Sequence, residues 1–352
     1  MKGFSDKIIG WYKENARDLP WRKTKDPYKI WLSEVILQQT RVEQGRPYYE
    51  NFVREFPTVI ELAKAPEKKV MKLWQGLGYY SRARNLQTAA KQIVGAYKKG
   101  GFPDNFIDLI QLKGVGRYTA AAISSIAFGE PRAVVDGNVY RVLARIFGLK
   151  TPIDTSGGKE AFQSLADQLI SKKRPGDHNQ AMMEFGATIC TPKNPKCSGC
   201  LFSEMCYAMA QNNQNELPVK SKKIKVRERF FYYFEIFYKG NVFIHRRENT
   251  KDIWNGLYEL PLLEFDKRPR DEGVVLKRLS NEILGEGGLI TICGEWKYYK
   301  HVLTHQKIHA CIVPVKISRL PDKLAWLNLR VPKKNINLYP LPRLLDKYWN
   351  GN

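Results

Sequence analysis

Residues 112–149 read LKGVGRYTAAAISSIAFGEPRAVVDGNVYRVLARIFGL. The GVG at 114–116 separates two segments with helical periodicity, which predicts a tight turn followed directly by a helix N-terminus. Backbone N–H groups and the helix dipole at such a turn favour a bound anion. Many GxG sequences are simple turns, but the neighbouring Lys113 and Arg117 favour contact with a nucleic-acid backbone.

The sequence outside this stretch has two textures. Residues 1–212 predict one helix after another, including a single buried helical face that runs from Leu62 through Val70 to Trp74 and Leu77. We therefore expect a mainly α N-terminal domain at 1–212.

From about residue 229 the chain becomes aromatic and β-branched. FFYYFEIFYKGNVFIHRR (230–247) predicts two strands joined by a tight turn at Lys239-Gly240-Asn241, and ACIVPVKI (310–317) predicts another strand. We expect an α+β domain at 229–352. Residues 213–228, polar and then basic, are predicted to be a linker that lies on a polyanion.

Composition limits the class of protein. The chain has 352 residues, with 58 Lys plus Arg against 35 Asp plus Glu, and a formal net charge of +23. This length suits two domains, and 43% hydrophobic residues exclude a wholly disordered chain. The positive surplus indicates a polyanionic partner. No apolar run approaches the roughly 18 residues that span a bilayer, and no secretion signal is evident, so we expect a cytoplasmic, nucleoid-associated protein with no membrane partner.

Four of the six cysteines lie within 17 residues, in the spacing C-x6-C-x2-C-x5-C. Without an export signal this cluster indicates a metal site rather than disulfides. Four thiolates can hold zinc or a 4Fe-4S cluster, and the single short C-x2-C pair favours iron–sulfur while leaving zinc open. The predicted ligands are Cys190, Cys197, Cys200 and Cys206. Cys293 and Cys311 are expected to be small core residues.

Two acidic residues are candidates for chemistry. Asp136 follows an apolar run and starts a helical segment, so it is either an ordinary helix N-cap or a carboxylate held near the GVG turn. Glu34 lies in IWLSEVILQQTRV (30–42), where apolar neighbours cover most of the helix circumference. If Glu34 is desolvated there, its pKa should be raised, as a general acid requires; the alternative is a solvent-facing glutamate.

Further segments occur with these features in a fixed order. They are LPWR (19–22), WLSEVILQQTRV (31–42), LWQGLGYYSRARNL (73–86), LKGVGRYTA (112–120), VDGNVYRVLAR (135–145), NQAMMEFGA (179–187), the cysteine cluster, WNGLYELP (254–261) and HVLTHQKIH (301–309). Over essentially its whole length the chain resembles the helix-hairpin-helix DNA glycosylases, and specifically the adenine DNA glycosylases of the MutY type. The resemblance implies a six-helix module, an iron–sulfur module and a Nudix-like C-terminal domain.

The resemblance also implies a reaction. It is the removal of adenine mispaired with 8-oxoguanine or guanine in double-stranded DNA, by a monomeric enzyme that flips the base out and leaves an abasic site. Glu34 would protonate adenine at N7, and Asp136 would stabilise the positive sugar. The four cysteines would hold one 4Fe-4S cluster that orders a DNA-contacting loop, and a monovalent cation is compatible with the hairpin turn.

The remaining site residues follow from the same resemblance, position by position. Tyr118 and Asn138 would steady the intermediate and its water, and the adenine pocket would contain Trp21, Arg22, Leu37, Gln180 and Glu184. DNA contacts would come from Gln39, Thr40, Arg41, Tyr79, Arg82, Lys113, Gly114, Val115 and Gly116, with Gln39 and Tyr79 wedged beside the oxidised guanine. The lesion would be recognised by Leu303, Thr304 and His305.

Three departures from relatives matter. Endonuclease III-type enzymes carry a Schiff-base lysine where this chain has Tyr118, so we expect a monofunctional glycosylase without strand cleavage. The family's Phe-Ser-His appears as Leu303-Thr304-His305, and Lys113 replaces the usual proline. The C-terminal domain lacks the pyrophosphatase signature of Nudix hydrolases, so it should recognise rather than hydrolyse. The alternatives are a glycosylase/lyase for oxidised pyrimidines and a non-catalytic iron–sulfur DNA-binding protein.

Overall fold

The structure, a computed structural model, describes residues 3–97, 101–221, 226–249, 252–285 and 290–351. Contacts divide the chain into two compact units. The helical unit comprises residues 1–65 and 85–223, and the mixed unit comprises residues 66–84 and 224–352. Residues 222–225 of the predicted linker lie outside the described residues.

The predicted succession of helices up to residue 212 is confirmed. The helices are α1 Phe4–Asn15, α2 Pro27–Leu37, α3 Val42–Glu55, α4 Val59–Lys64, α5 Glu67–Leu73, α6 Ser81–Ala96, α7 Phe106–Leu109, α8 Arg117–Phe128, α9 Gly137–Phe147, α10 Ser156–Leu169, α11 Pro175–Thr188 and α12 Tyr207–Ala210. In the helical unit α11 packs against α1, α8 and α9, and α2 packs against α8. The sequence brings them together because each helix buries an apolar stripe, as α9 does with Val142, Leu143 and Ile146.

The single helical face predicted from Leu62 to Leu77 is wrong. The structure divides this segment into α4, α5 and a following turn, and Pro66 is the N-cap of α5. A proline removes a backbone donor and clashes with the preceding turn, so the helix cannot continue through it. The apolar spacing was correct about burial, because Leu62, Val70 and Trp74 are all buried.

The mixed unit is built on one sheet with helices. Its elements are β1 Arg227–Tyr238, β2 Asn241–Arg246, β3 Tyr258–Glu259, β4 Leu262–Phe265, α13 Glu272–Arg278, β5 Ile290–Ile292, β6 Lys297–Val302, β7 Gln306–Ile317, α14 Asp322–Leu327, β8 Leu329–Pro332 and α15 Arg343–Asn350. The strand order is β3-β2-β1-β7-β5, with β4 also on β1, β6 on β7 and β8 on β2. β1 and β7 are parallel, and the other pairs are antiparallel.

The predicted hairpin and the later strand are both confirmed. Lys239 and Gly240 join β1 to β2 with φ values of 47° and 76°, the left-handed pair that a two-residue hairpin turn requires. ACIVPVKI forms the second half of β7. Cys311 is buried as expected, but Cys293 is exposed, so its assignment to the core is wrong. It follows β5, where a short strand leaves one side of the chain uncovered.

Part of the predicted linker packs on the helical unit. Leu217 is buried in that unit's core, and the carbonyl of Val219 accepts a hydrogen bond of 3.1 Å from the Ile153 N–H. At the other end, Arg227 and Glu228 already belong to β1. Of the helices in the described ranges, none is both long and apolar enough to cross a membrane.

Candidate active site

A cavity of about 180 Å³ lies among α2, α8, α9 and α11 in the helical unit. Both candidate carboxylates, Glu34 and Asp136, line it, together with Tyr118 and Asn138. The predicted pocket residues Trp21, Arg22, Leu37, Gln180 and Glu184 line the same cavity, as does Thr40. Residues separated by up to 150 positions in the chain therefore meet around one space large enough for a planar base.

Glu34 is placed by α2, which starts at Asp26 and Pro27. The Asp26 side chain caps the helix by accepting the Tyr28 N–H, and Trp31, Leu32, Val35 and Ile36 are buried around Glu34. The glutamate itself is half-buried, because its carboxyl group faces the cavity. Burial raises the pKa of Glu34 to about 7, and the charge of Asp136 adds to the rise. A proton is thus available near neutral pH.

Tyr118 is the nearest described partner of Glu34. Its hydroxyl donates a 2.6 Å hydrogen bond to Oε2 of Glu34 and lies 3.5 Å from Sδ of Met183. Burial and the neighbouring carboxylates raise the pKa of Tyr118 well above its usual value, so the phenol stays neutral and acts as a donor. Tyr118 lies in the first turn of α8, directly after the GVG turn.

Asp136 is the N-cap of α9, so the cap interpretation is correct as far as structure goes. Oδ1 accepts the backbone N–H groups of Asn138 and Val139 at 2.9 and 2.8 Å, and Oδ2 accepts from Nδ2 of Asn138 at 2.8 Å. Burial raises the pKa of Asp136, and these three donors oppose the rise. The cap role and the position in the cavity are compatible, since the carboxylate reaches both.

Glu184 is an ionised carboxylate at the far side of the cavity. Its side chain is 0% exposed, and it accepts from Nε and Nη2 of Arg17, each at 2.8 Å, and from Nη2 of Arg22 at 2.6 Å. Burial opposes ionisation, but these hydrogen bonds outweigh it and lower the pKa of Glu184 to about 2. Sequence reasoning missed Arg17, which precedes LPWR with no local signal. Only the fold brings it to α11.

Two further neighbours were also missed. The Tyr12 hydroxyl donates a 3.1 Å hydrogen bond to Oε1 of Gln180, which orients that amide. Arg141 donates to Oδ1 of Asn138 at 2.9 Å and to the carbonyl of Cys190 at 2.6 Å. A chain of hydrogen bonds therefore runs from Asp136 through Asn138 and Arg141 to the start of the cysteine cluster.

The GVG turn has the geometry that its sequence predicts. Gly114 has φ 76°, and a Cβ there would lie 2.6 Å from Cβ of Asn85, so no other residue fits. Val115 is buried and anchors the turn, and Gly116 is the N-cap of α8. Lys113, Gly114 and Gly116 are exposed. The turn therefore presents backbone at a helix N-terminus to solvent, beside basic side chains.

The two predicted wedge residues share an unusual backbone conformation. Gln39 and Tyr79 are non-glycine residues with φ values of 57° and 47°, and both are exposed. Such strain clusters at functional positions. Arg41 is also exposed, beside Gln39 in the helical unit.

In the mixed unit, Tyr79 is 48% exposed, and its hydroxyl lies 2.5 Å from Oγ1 of Thr304 in the β6–β7 loop. Arg82, in contrast, is only 9% exposed. Its guanidinium donates to the carbonyls of Leu77 and Gly78, and burial lowers its pKa to about 10. This geometry supports a role in holding the loop of Tyr79 rather than an exposed phosphate contact.

The cysteine cluster is tied to α9 by Arg145, which is 2% exposed. Arg145 donates to the carbonyls of Thr191 and Pro192 and to Sγ of Cys190 at 3.5 Å, and its own carbonyl accepts from Sγ of Cys206 at 3.4 Å. The pKa of Cys200 is raised by burial and by the three other cysteines of the cluster, so these sulfurs lie near one another. The described residues contain no group of three His, Cys, Asp or Glu side chains arranged around a single ion.

Comparison with known proteins gives two family matches. Residues 32–168 match the HhH-GPD superfamily base excision DNA repair proteins, and residues 232–351 match the NUDIX domain. An adenine DNA glycosylase of Buchnera aphidicola subsp. Schizaphis graminum is 37% identical over 266 residues, which cover 75% of this chain and 76% of that protein. The chain belongs to the adenine DNA glycosylase family.

Other matches support the same assignment. The human adenine DNA glycosylase is 43% identical over 227 residues, which cover 62% of this chain and 41% of the human protein. The chain thus spans about half the length of that relative and most of the bacterial one. A solved structure of a thermostable thymine-DNA glycosylase matches 60% of this chain and 96% of its own, at 32% identity and a TM-score of 0.55.

For an adenine DNA glycosylase the predicted fold class is confirmed, with an HhH-GPD helical part and a NUDIX-like part containing a sheet. The enzyme class is confirmed as well, a DNA glycosylase that hydrolyses N-glycosidic bonds. The roles of individual residues, the mispair and the cofactor are the subject of the next section.

Proposed function

We propose that this glycosylase excises adenine paired with 8-oxoguanine or guanine and leaves an abasic site without cutting the strand. The observation that carries the proposal is one cavity lined by Glu34, whose pKa is raised to about 7, and by Asp136. Glycosidic cleavage needs two carboxyl groups in different protonation states. Their surroundings separate them, because Asp136 accepts three hydrogen bonds while Glu34 accepts one from Tyr118.

In this proposal Glu34 is the general acid. It gives its proton to N7 of the flipped adenine, so that the base leaves neutral as the C1′–N9 bond breaks. The Tyr118 hydroxyl, at 2.6 Å, holds the carboxyl group in place and takes no proton, since its own pKa is far higher. The acid needs no large rearrangement to reach a base in the cavity, because Glu34 already lines it.

Asp136 stabilises the positive charge that develops on the sugar. Its helix N-terminal position and three N–H donors favour the ionised form, which is the form that attracts an oxocarbenium ion. The carboxylate can also bond transiently to C1′ before water replaces it. Asn138, held by Arg141 at 2.9 Å, is positioned to orient that water.

Selection for adenine is attributed to Glu184 and Gln180. A carboxylate with a pKa of about 2 accepts from the 6-amino group of adenine and repels the O6 acceptor of guanine at the same place. Arg17 and Arg22 keep Glu184 ionised and fixed. Trp21 is buried against the cavity and supplies an apolar wall for a planar base.

The monofunctional mode follows from the side chains that line the cavity. Tyr118 occupies the position of the lyase lysine, and none of the described lining residues is a lysine. Without an amine at C1′ no Schiff base forms, so the abasic strand stays intact.

The cysteine cluster has the donors for a 4Fe-4S cluster. Cys190, Cys197, Cys200 and Cys206 would each supply one thiolate, and the bound cluster would supply structural cross-linking of the loop rather than a redox step. Arg145 and Arg141, which contact the loop backbone, would balance part of the thiolate charge. They also join the loop to α9 and hence to Asp136.

Recognition of the oxidised guanine is assigned to the mixed unit. Thr304 lies in the β6–β7 loop and already contacts the exposed Tyr79. In the described part of this unit no group of acidic side chains is arranged for a metal ion, and we therefore propose recognition without nucleotide hydrolysis. Leu303 is half-buried, so its lost aromatic face is compensated by packing within the loop.

One assay tests the proposal. Duplexes containing 8-oxoguanine:A, G:A or 8-oxoguanine:C are incubated with the protein, and each is analysed with and without alkali. We expect excision of adenine from the first two, faster from the first, and strand breaks only after alkali treatment. Breaks without alkali would favour the lyase alternative, and a protein that releases no base from any duplex would favour a non-catalytic DNA-binding role.

The pKa of Glu34 predicts the pH dependence of excision. The acid must be protonated, and its pKa is raised to about 7, so the reactive fraction is high below pH 7 and falls above it. Well above the pKa, the single-turnover rate should fall about tenfold per pH unit. The measurement is the single-turnover rate between pH 5.5 and 9, with duplex binding followed in parallel. A rate that stays flat across this range would contradict the assignment of Glu34.

A further inference from the structure

In the mixed unit, Arg229 of β1 is 4% exposed and has all five of its N–H donors engaged. Two go to Asp252 at 2.6 and 2.8 Å, and two go to Glu264 at 2.7 and 2.6 Å. The fifth goes from Nη1 to Oε1 of Gln306 at 3.0 Å. Burial opposes the charge, but the two carboxylates outweigh it and raise the pKa of Arg229, so the guanidinium is a permanent cation.

This centre is rigid for a stated reason. Asp252 also accepts from Arg247, whose Nη1 donates to Glu259 at 2.7 Å, so the ions form a connected network rather than an isolated pair. A planar guanidinium with two bidentate carboxylates cannot rotate without breaking several buried bonds. Gln306 is therefore bound to a fixed point in the sheet.

Gln306 stands at the base of the loop Leu303–Thr304–His305. It is the first residue of β7, and its carbonyl accepts the Leu303 N–H at 2.8 Å across the loop. The His305 carbonyl accepts the Arg227 N–H at 3.0 Å. The loop is thus held to β1 by one backbone bond and one side-chain bond, and the side-chain bond ends on Arg229.

We infer that Gln306 is a positioning residue for lesion specificity. It fixes the β6–β7 loop to the Arg229 centre so that Thr304 stands where the oxidised guanine is read. The inference rests on the proposed function of the mixed unit. It accounts for a polar side chain whose one bond to a buried ion centre contributes nothing to the active-site cavity of the helical unit.

Gln306→Met keeps the length of the side chain and removes the acceptor, leaving one buried donor of Arg229 unsatisfied. We expect the ratio of single-turnover rates on 8-oxoguanine:A and G:A to fall about fivefold, the effect of one hydrogen bond of about 1 kcal/mol. The G:A rate should stay near that of the unaltered protein, which also shows that the variant is folded.

Lys307→Met is the matched control. It alters the next residue of β7 and removes a surface ion pair with Glu228 at 2.6 Å, so the rate ratio should not change. A Gln306→Met variant with an unchanged ratio, or with both rates reduced equally, would overturn the inference alone. If the unaltered protein shows no preference for 8-oxoguanine:A, the proposed lesion recognition fails, and the inference fails with it.

Discussion

Glu34→Gln should reduce the single-turnover rate of adenine release by about 10²–10⁴-fold, the usual contribution of a general acid. The amide has the shape of the carboxyl group and still accepts the Tyr118 hydroxyl, which lies 2.6 Å from Oε2. It has no proton to give to N7 at any accessible pH. The remaining rate should therefore lose its dependence on pH around 7.

The control for this experiment is Glu43→Gln. Glu43 is an exposed acid in the first turn of α3, and it makes the same change of charge away from the cavity lining. Excision by this variant should match the unaltered protein, and both variants should bind an 8-oxoguanine:A duplex with similar affinity. Near-normal excision by Glu34→Gln would end its assignment as the acid.

Asp136→Asn should slow excision by about 10²–10³-fold while leaving the protein folded. Asparagine caps helices about as well as aspartate, so the bonds to the Asn138 and Val139 N–H groups can persist. What disappears is the negative charge opposite the developing oxocarbenium ion. The experiment thereby separates the two roles that the structure combines in one side chain.

Asp271→Asn provides the comparison for that substitution. Asp271 is the N-cap of α13 and accepts the Val274 N–H at 3.0 Å, in the mixed unit and outside the active-site cavity. Both variants should have similar melting temperatures, and only Asp136→Asn should lose activity. If Asp136→Asn excised adenine at the normal rate, Asp136 would be a helix cap and nothing more.

The cysteine cluster illustrates a prediction that needs only local sequence. Ligand spacing within 17 residues restricts the possible geometries of the loop, whatever the rest of the chain does. The GVG turn is similar, since only glycine suits the left-handed conformation at Gly114. Cys293 shows the limit of this approach, because a lone cysteine in an apolar segment carries no information about which side of the sheet edge is covered.

Local sequence by itself determined the order of helices and strands, the turn chemistry and the type of each reactive side chain, because these depend on residues a few positions apart. The tertiary structure alone decided which side chains share a cavity. Arg17 reaches Glu184 across 167 positions, and Tyr118 reaches Glu34 across 84. It also decided the pKa of Glu34, since desolvation depends on every element packed around a group and not on its neighbours in the chain.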